Sequence, residues 1–161
     1  MKRILVALAL FAAAVNQPAR AEEVGKVGVD WFGNDIVIDA VSDPKVQGVT
    51  CHLASFSRGV IDRLQKGNWF EDPSNASISC QQTGPITIGD INLGEGGERV
   101  FSERTSLIWK KLVITRIYDK PNNTLIYLAH ASQVQDGSAK TSISTIPLFA
   151  GNVNWSKGKP E

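Results

Sequence analysis

Two cysteines and two histidines are the residues available for thiol, imidazole or metal chemistry, and their spacing argues against each of these uses. Cys51 and His52 are adjacent. On a strand, neighbouring side chains leave opposite faces, whereas a base must come within about 3 Å of the thiol it activates. His130 is the other imidazole, there is no H-x-x-x-H spacing, and a zinc site would have to be completed by carboxylates from distant parts of the chain. The expectation is therefore no metal and no cofactor. Gly94-Glu95-Gly96-Gly97 is glycine-rich but lacks the following Lys-Ser/Thr pair that holds phosphates, and predicts a turn. Ser142 and Ser144 stand outside any G-x-S-x-G elbow, in an ordinary strand-like segment. The carboxylates Asp39, Glu71, Asp72, Asp90, Glu95, Glu98, Glu103 and Asp119 are scattered and predict solvated or capping groups. Arg104, Lys110, Lys111 and Arg116 flank or interrupt the most apolar run of the chain. Arg104, Lys110 and Arg116 are the candidate binding residues, as cations around a pocket or along a strand's wet ends. No catalytic residue is predicted.

The elements that must position these groups have strand grammar: short apolar runs rich in Val, Ile and Thr, punctuated by Gly, Pro, Asn and Asp. Ile36 to Val41 stops at Ser42-Asp43-Pro44. Val49 to Phe56 alternates, with Val49, Cys51 and Leu53 on one face and Thr50, His52 and Ala54 on the other. Ser77 to Gln82 places Ile78 and Cys80 together. Leu107 to Tyr118 and Thr124 to Ala131, separated by Asp119-Lys120-Pro121-Asn122-Asn123, predict a hairpin with a five-residue turn. The first of these strands is apolar on both sides, which predicts a central position covered on both faces. Ile143 to Leu148 is a final strand that Pro147 confines to an edge or a terminus. Val60, Ile61 and Leu64 hint at one short helix before Gly67-Asn68. The fold class expected is mainly β: an antiparallel β-sandwich or partly closed barrel of about seven to nine strands, with one or two short helices.

The chain has 161 residues, 17 Lys+Arg against 16 Asp+Glu and 42% apolar residues, enough for one domain and without the basic surface that nucleic acid requires. Its beginning resembles a secretory signal peptide. Lys2 and Arg3 precede an apolar run from Ile4 to Val15, and Ala19-Arg20-Ala21 supplies small residues before a cut predicted after Ala21. Twelve residues at 1.5 Å rise reach about 18 Å, short of the roughly 30 Å hydrocarbon core, so the run is too short for a membrane anchor. Removing it takes away Lys2, Arg3 and Arg20, which leaves 14 of the 17 basic side chains against all 16 acids. The expected organisation is a signal peptide over 1–21, one β-rich domain over 22–150 and a flexible C-terminal tail over 151–161, with no transmembrane segment in the mature protein.

Export places Cys51 and Cys80 where thiols are oxidised, and the chain lacks the C-x-x-C spacing of a redox pair. A structural disulfide is the expectation. With 29 positions between the partners, the chain-entropy model gives roughly 3.6 kcal/mol. Each cysteine shares a face with aliphatic neighbours, as a buried bridge between two strands, or a strand and its neighbour layer, would require.

Several runs, in order, resemble the CreA family: Asp43-Pro44-Lys45-Val46-Gln47-Gly48-Val49-Thr50-Cys51, the block Ser77-Ile78-Ser79-Cys80-Gln81-Gln82-Thr83-Gly84-Pro85-Ile86, then Arg104-Thr105-Ser106-Leu107, Arg116-Ile117-Tyr118-Asp119, Tyr127-Leu128-Ala129 and Ile143-Ser144-Thr145-Ile146-Pro147. The resemblance runs from about Val24 to about Leu148. It departs from the family pattern at Phe56 to Phe70, which is less glycine-rich, and in the tail. What it implies is an exported protein of the Gram-negative periplasm without an established activity, in a family whose name derives from association with a carbon-source-responsive two-component system. Two function classes follow. One is a non-catalytic binding or accessory module that holds an unknown small ligand or a membrane-bound periplasmic partner, linked to carbon-source or envelope signalling. The other is an unrecognised periplasmic hydrolase using carboxylates or a hydroxyl nucleophile.

Overall fold

The computed structural model describes residues 21–31, 33–57, 76–104, 111–132, 141–149 and 151–160. Nine strands are formed by these residues: β1 (Ala21–Gly28), β2 (Asp35–Asp43), β3 (Val46–Ser57), β4 (Ala76–Ile88), β5 (Glu98–Arg104), β6 (Lys111–Asp119), β7 (Thr124–Ala131), β8 (Ser142–Pro147) and β9 (Asn154–Trp155). They make a five-stranded sheet in the order β1-β2-β3-β4-β9 and a four-stranded sheet in the order β5-β6-β7-β8. All pairings are antiparallel except β4 with β9. The two sheets face one another as a sandwich and do not close into a barrel. No helix occurs among the described residues, and the helix expected at Val60 to Leu64 lies outside them, as does the signal peptide expected over 1–21 except for Ala21, which stands in β1. None of the described residues forms a helix long and apolar enough to cross a membrane.

The period-two pattern decides which side of each strand is inside. In β3, Val49, Cys51 and Leu53 are buried while Thr50, His52 and Ala54 are only partly covered. In β6 the inward row is Leu112, Ile114, Arg116 and Tyr118, and it meets Leu125, Tyr127 and Ala129 of β7. Val113 on the other side of β6 is also buried, consistent with the central position expected. The β6–β7 connection is shorter than the five-residue turn because Asp119 still pairs with Thr124. Asp119 accepts from the backbone N–H and side-chain amide of Asn122, and Asn123 takes a left-handed φ of 46°. β8 is an edge strand, as Pro147 requires.

Two side chains join the sheets where backbone ladders do not. Ser142 Oγ accepts from the Ile78 N–H at 2.8 Å, and Ser144 Oγ accepts from the Cys80 N–H at 2.7 Å. The serines of β8 thus satisfy donors of β4, which has β9 alongside it only at Thr87 and Ile88. Buried donors need partners, and a hydroxyl supplies one without another strand.

The tail differs from the expected loose segment. Asn154 and Trp155 pair with Thr87 and Ile88, and the Ser156 N–H donates to the Ile88 carbonyl at 2.9 Å. Trp155 packs edge-on against Tyr118 with ring centroids 5.3 Å apart. A single aromatic anchor therefore docks a stretch whose polar composition reads as unstructured.

Candidate functional site

The chemistry that the fold assembles is a group of charged side chains between the sheets, centred on Arg116. The turn that joins β2 to β3 brings in the acid. Asp43 ends β2, and its Oδ1 accepts from the Lys45 backbone N–H at 2.9 Å, fixing the Pro44-Lys45 turn and aiming the carboxylate inward. Arg116 Nη1 donates to Asp43 Oδ1 at 2.6 Å and also to Oδ2. Tyr127 donates its hydroxyl to Asp43 Oδ2 at 3.0 Å. The Arg116 and Asp43 side chains are 2% and 1% exposed. Two charges withdrawn this far from water are tolerable only as a bonded pair.

Glu98, at the start of β5, closes the group. It accepts from Arg116 Nη2 at 2.5 Å, pairs through its other oxygen with Lys45 Nζ, and accepts from the Asn92 N–H at 3.2 Å. Burial opposes the Glu98 charge, but the Lys45 and Asn92 hydrogen bonds and the nearby Arg116 outweigh it and hold the carboxyl below its ordinary range. Burial, then the charge of Asp43, push the Tyr127 hydroxyl up, so it stays a protonated donor. Arg116 Nε is a buried donor without a hydrogen bond. The group links β2 and the β2–β3 turn of one sheet to β5, β6 and β7 of the other, so its chemistry is cohesion between sheets.

The glycine-rich run is a turn, as expected, and it sets Glu98 in place. The Gly97 N–H donates to the Gly94 carbonyl at 2.9 Å, and Gly97 has a φ of 65°. A Cβ on Gly97 would lie 2.3 Å from the Arg116 carbonyl oxygen. Gly97→Ala should therefore lower stability by about 2 kcal/mol or more, because both the left-handed φ and the approach to β6 oppose a side chain. A thermal melt checks this, and an unchanged midpoint would show that the turn readily shifts.

A shallow surface lies beside this group. One hollow of about 250 Å3 is lined by Lys45, Gln47, Thr87 and Ser156, and a second of about 250 Å3 by Ile91, Leu93, Trp155 and Lys157, with Gly89 and Asp90 shared between them. Lys157 and Asp90 pair at 2.7 Å, both largely exposed. A pair so solvated is worth little and is readily exchanged for another partner.

Of the candidate binding residues, Arg116 lies in the core rather than at a strand's wet end. Arg104 ends β5 opposite Lys111, and Lys110 lies outside the described residues. Asp43 and Tyr127 are not among the candidates, although both bond within the group; Glu98, expected to be a solvated or capping group, accepts the Asn92 N–H and also pairs with Arg116 and Lys45. Cys51 and Cys80 are register partners on β3 and β4 and form a disulfide. His52 faces outward from the first sheet, while His130 lies on the second, where Nε2 meets Thr115 Oγ1 at 2.9 Å.

A family model described as CreA protein matches residues 24–151. Protein CreA of Escherichia coli strain K12 is 41% identical to this chain over 156 residues, covering 92% of this chain and 96% of that protein. Protein CreA of Escherichia coli O157:H7 is similar to the same extent, 41% identical over 92% of this chain. No solved structure matches.

Proposed function

This chain belongs to the CreA family, and from that membership we propose that it is an exported periplasmic protein acting as a binding or accessory module. The partner classes are a small ligand or a membrane-bound component of carbon-source or envelope signalling. Its residue-level support for export is the basic start at Lys2-Arg3, the apolar run and Ala19-Arg20-Ala21. The observation that carries the module reading is the use of the buried charges. Arg116, Asp43, Glu98 and Lys45 are bonded to one another across the sheets, so the chemically strongest groups serve to hold a rigid scaffold. The hollows beside Gly89 and Asp90 give that scaffold a concave face with exposed lysine at its rim.

The test is the intact mass of protein from the periplasmic fraction, before and after reduction, followed by native mass spectrometry. A mass beginning at Glu22 that gains two hydrogens on reduction is the expected result. A retained small molecule, or co-purification with a membrane protein, would identify the partner class. Recovery of full-length protein from the cytosol would overturn export, and turnover of ester or glycoside substrates would overturn the non-catalytic reading.

A further inference from the structure

β1 is the outer strand of its sheet, and among the described strands none pairs with its free edge. Such an edge presents unpaired N–H and C=O groups that can template another strand. β1 also leaves apolar side chains in the open: Val24 and Val27 are each 54% exposed, Val29 just beyond the strand is 52% exposed, and Ile36 beside Val27 is 37% exposed. From this edge and its charge pattern we propose that β1 pairs antiparallel with β1 of a second copy of this chain, in the register that sets Glu23 opposite Lys26 and Glu22 opposite Val27, making one sheet continuous through two molecules.

The register follows from the bulge in β1. Glu23 pairs with Asp39 and Gly25 with Ile38, so Val24 is an extra residue without a partner on β2. In a regular strand, residues 23 and 26 would lie on opposite faces. The extra residue resets the alternation. Glu23 lies on the same side as Asp39, and Lys26 on the same side as Val37, which is that same inner side because Asp39 and Val37 are two apart on β2. By the same count Glu22 and Val27 share the outer side. Two antiparallel copies are related by a twofold axis perpendicular to the sheet, which keeps each residue on its face, so facing residues must already share one. The Glu23 to Lys26 register meets this condition, with the axis passing at the bulge.

The electrostatics within one molecule leave Glu23 favouring that neighbour. It sits opposite Asp39, whose carboxyl is pushed up by burial and then by the charge of Glu23. Lys26 bonds Asp35 at 2.7 Å and remains half exposed. The twofold arrangement would bring a Lys26 to each Glu23 and turn a like-charge neighbourhood into two cross-strand ion pairs. Parallel pairing in register would instead stack Glu22 and Glu23 on their own copies. This inference does not depend on location or on what the hollows bind.

The experiment is sedimentation velocity of the full mature protein over a concentration series, with native mass spectrometry of the same samples. The wild-type protein should show a monomer–dimer equilibrium. Glu23→Lys is the decisive variant: it relieves the repulsion with Asp39, so its melting temperature should hold or rise, yet dimerisation should weaken by roughly tenfold or more. Adding Lys26→Glu to make Glu23→Lys/Lys26→Glu should restore dimerisation, because the facing pair is re-formed with its signs exchanged. A wild-type monomer at every concentration overturns the proposal. So does a dimer that ignores Glu23→Lys, which would place the contact elsewhere, or a double variant that stays monomeric while folded.

Discussion

Arg116→Met should lower unfolding free energy by about 3 to 5 kcal/mol, measured by urea denaturation, because it leaves the Asp43 carboxylate in the core with its charge uncompensated. The pair itself is not the source of that number. Withdrawing two ions from water is costly, and their attraction together with the bonds from Tyr127 and the Lys45 N–H roughly repays it. What a single replacement removes is the compensation. It follows that Arg116→Met/Asp43→Asn should be more stable than Arg116→Met, by about 1 kcal/mol or more, since an asparagine carries no charge, can still accept from the Lys45 N–H through Oδ1, and can donate through Nδ2 to the Tyr127 hydroxyl oxygen in place of the bond it loses. Strict additivity of the two substitutions, or a loss below about 1 kcal/mol for Arg116→Met, would mean that water reaches Asp43 in solution and that the sheets are held together without this group.

How far this arrangement can be read from residues alone depends on burial. β3, β4, β6 and β7 carry an inward apolar row, and β2 and β8 carry one broken by Asp or Ser; β2, β3 and β4 were visible as alternation, β6 as a run apolar on both sides, and β7 and β8 as strand-like runs. β1 and β5 were not, because Ala-Glu-Glu-Val-Gly-Lys-Val-Gly and Glu-Arg-Val-Phe-Ser-Glu-Arg each lie at a sheet edge and contain a bulge, so neither has a face that must be apolar throughout. β9 is two residues long and owes its place to Trp155, a tertiary contact that no period reveals. Arg116 shows the same rule from the other side. It shares parity with Leu112, Ile114 and Tyr118, which is the signature of a charge on a buried face, and a buried guanidinium demands a carboxylate. The signal was present for the arginine. Its partner is not encoded locally, since Asp43 lies 73 positions away and has the sequence setting of a turn residue. Ser142 and Ser144 are ordinary in the sequence for a similar reason: their partners are backbone donors of β4, 64 positions distant.

Cys51→Ala and Cys80→Ala should each destabilise the protein by about 3 to 4 kcal/mol, and the double variant should lose little more than either single one. The separation of 29 residues sets the scale through the entropy of the unfolded loop. The register sets the pattern, because Cys51 and Cys80 face one another on adjacent strands and each single replacement removes the same covalent link. The link matters here for a reason beyond loop entropy. It lies between strands whose connecting segment runs from Ser57 to Ala76, so without it the β3–β4 pairing must be closed across that length by hydrogen bonds and apolar contacts alone. Cys80 is also the residue whose N–H reaches Ser144, so the bridge fixes β3 to the strand that is sewn to the second sheet. Loss of the bridge should therefore appear at β8 as well as at β3. In native-state hydrogen exchange of Cys51→Ala, the Ile78 and Cys80 amides should lose protection along with the β3–β4 ladder. Protection lost only between β3 and β4, with the Ile78 and Cys80 amides unchanged, would show that the serine stitches hold β4 independently of the disulfide.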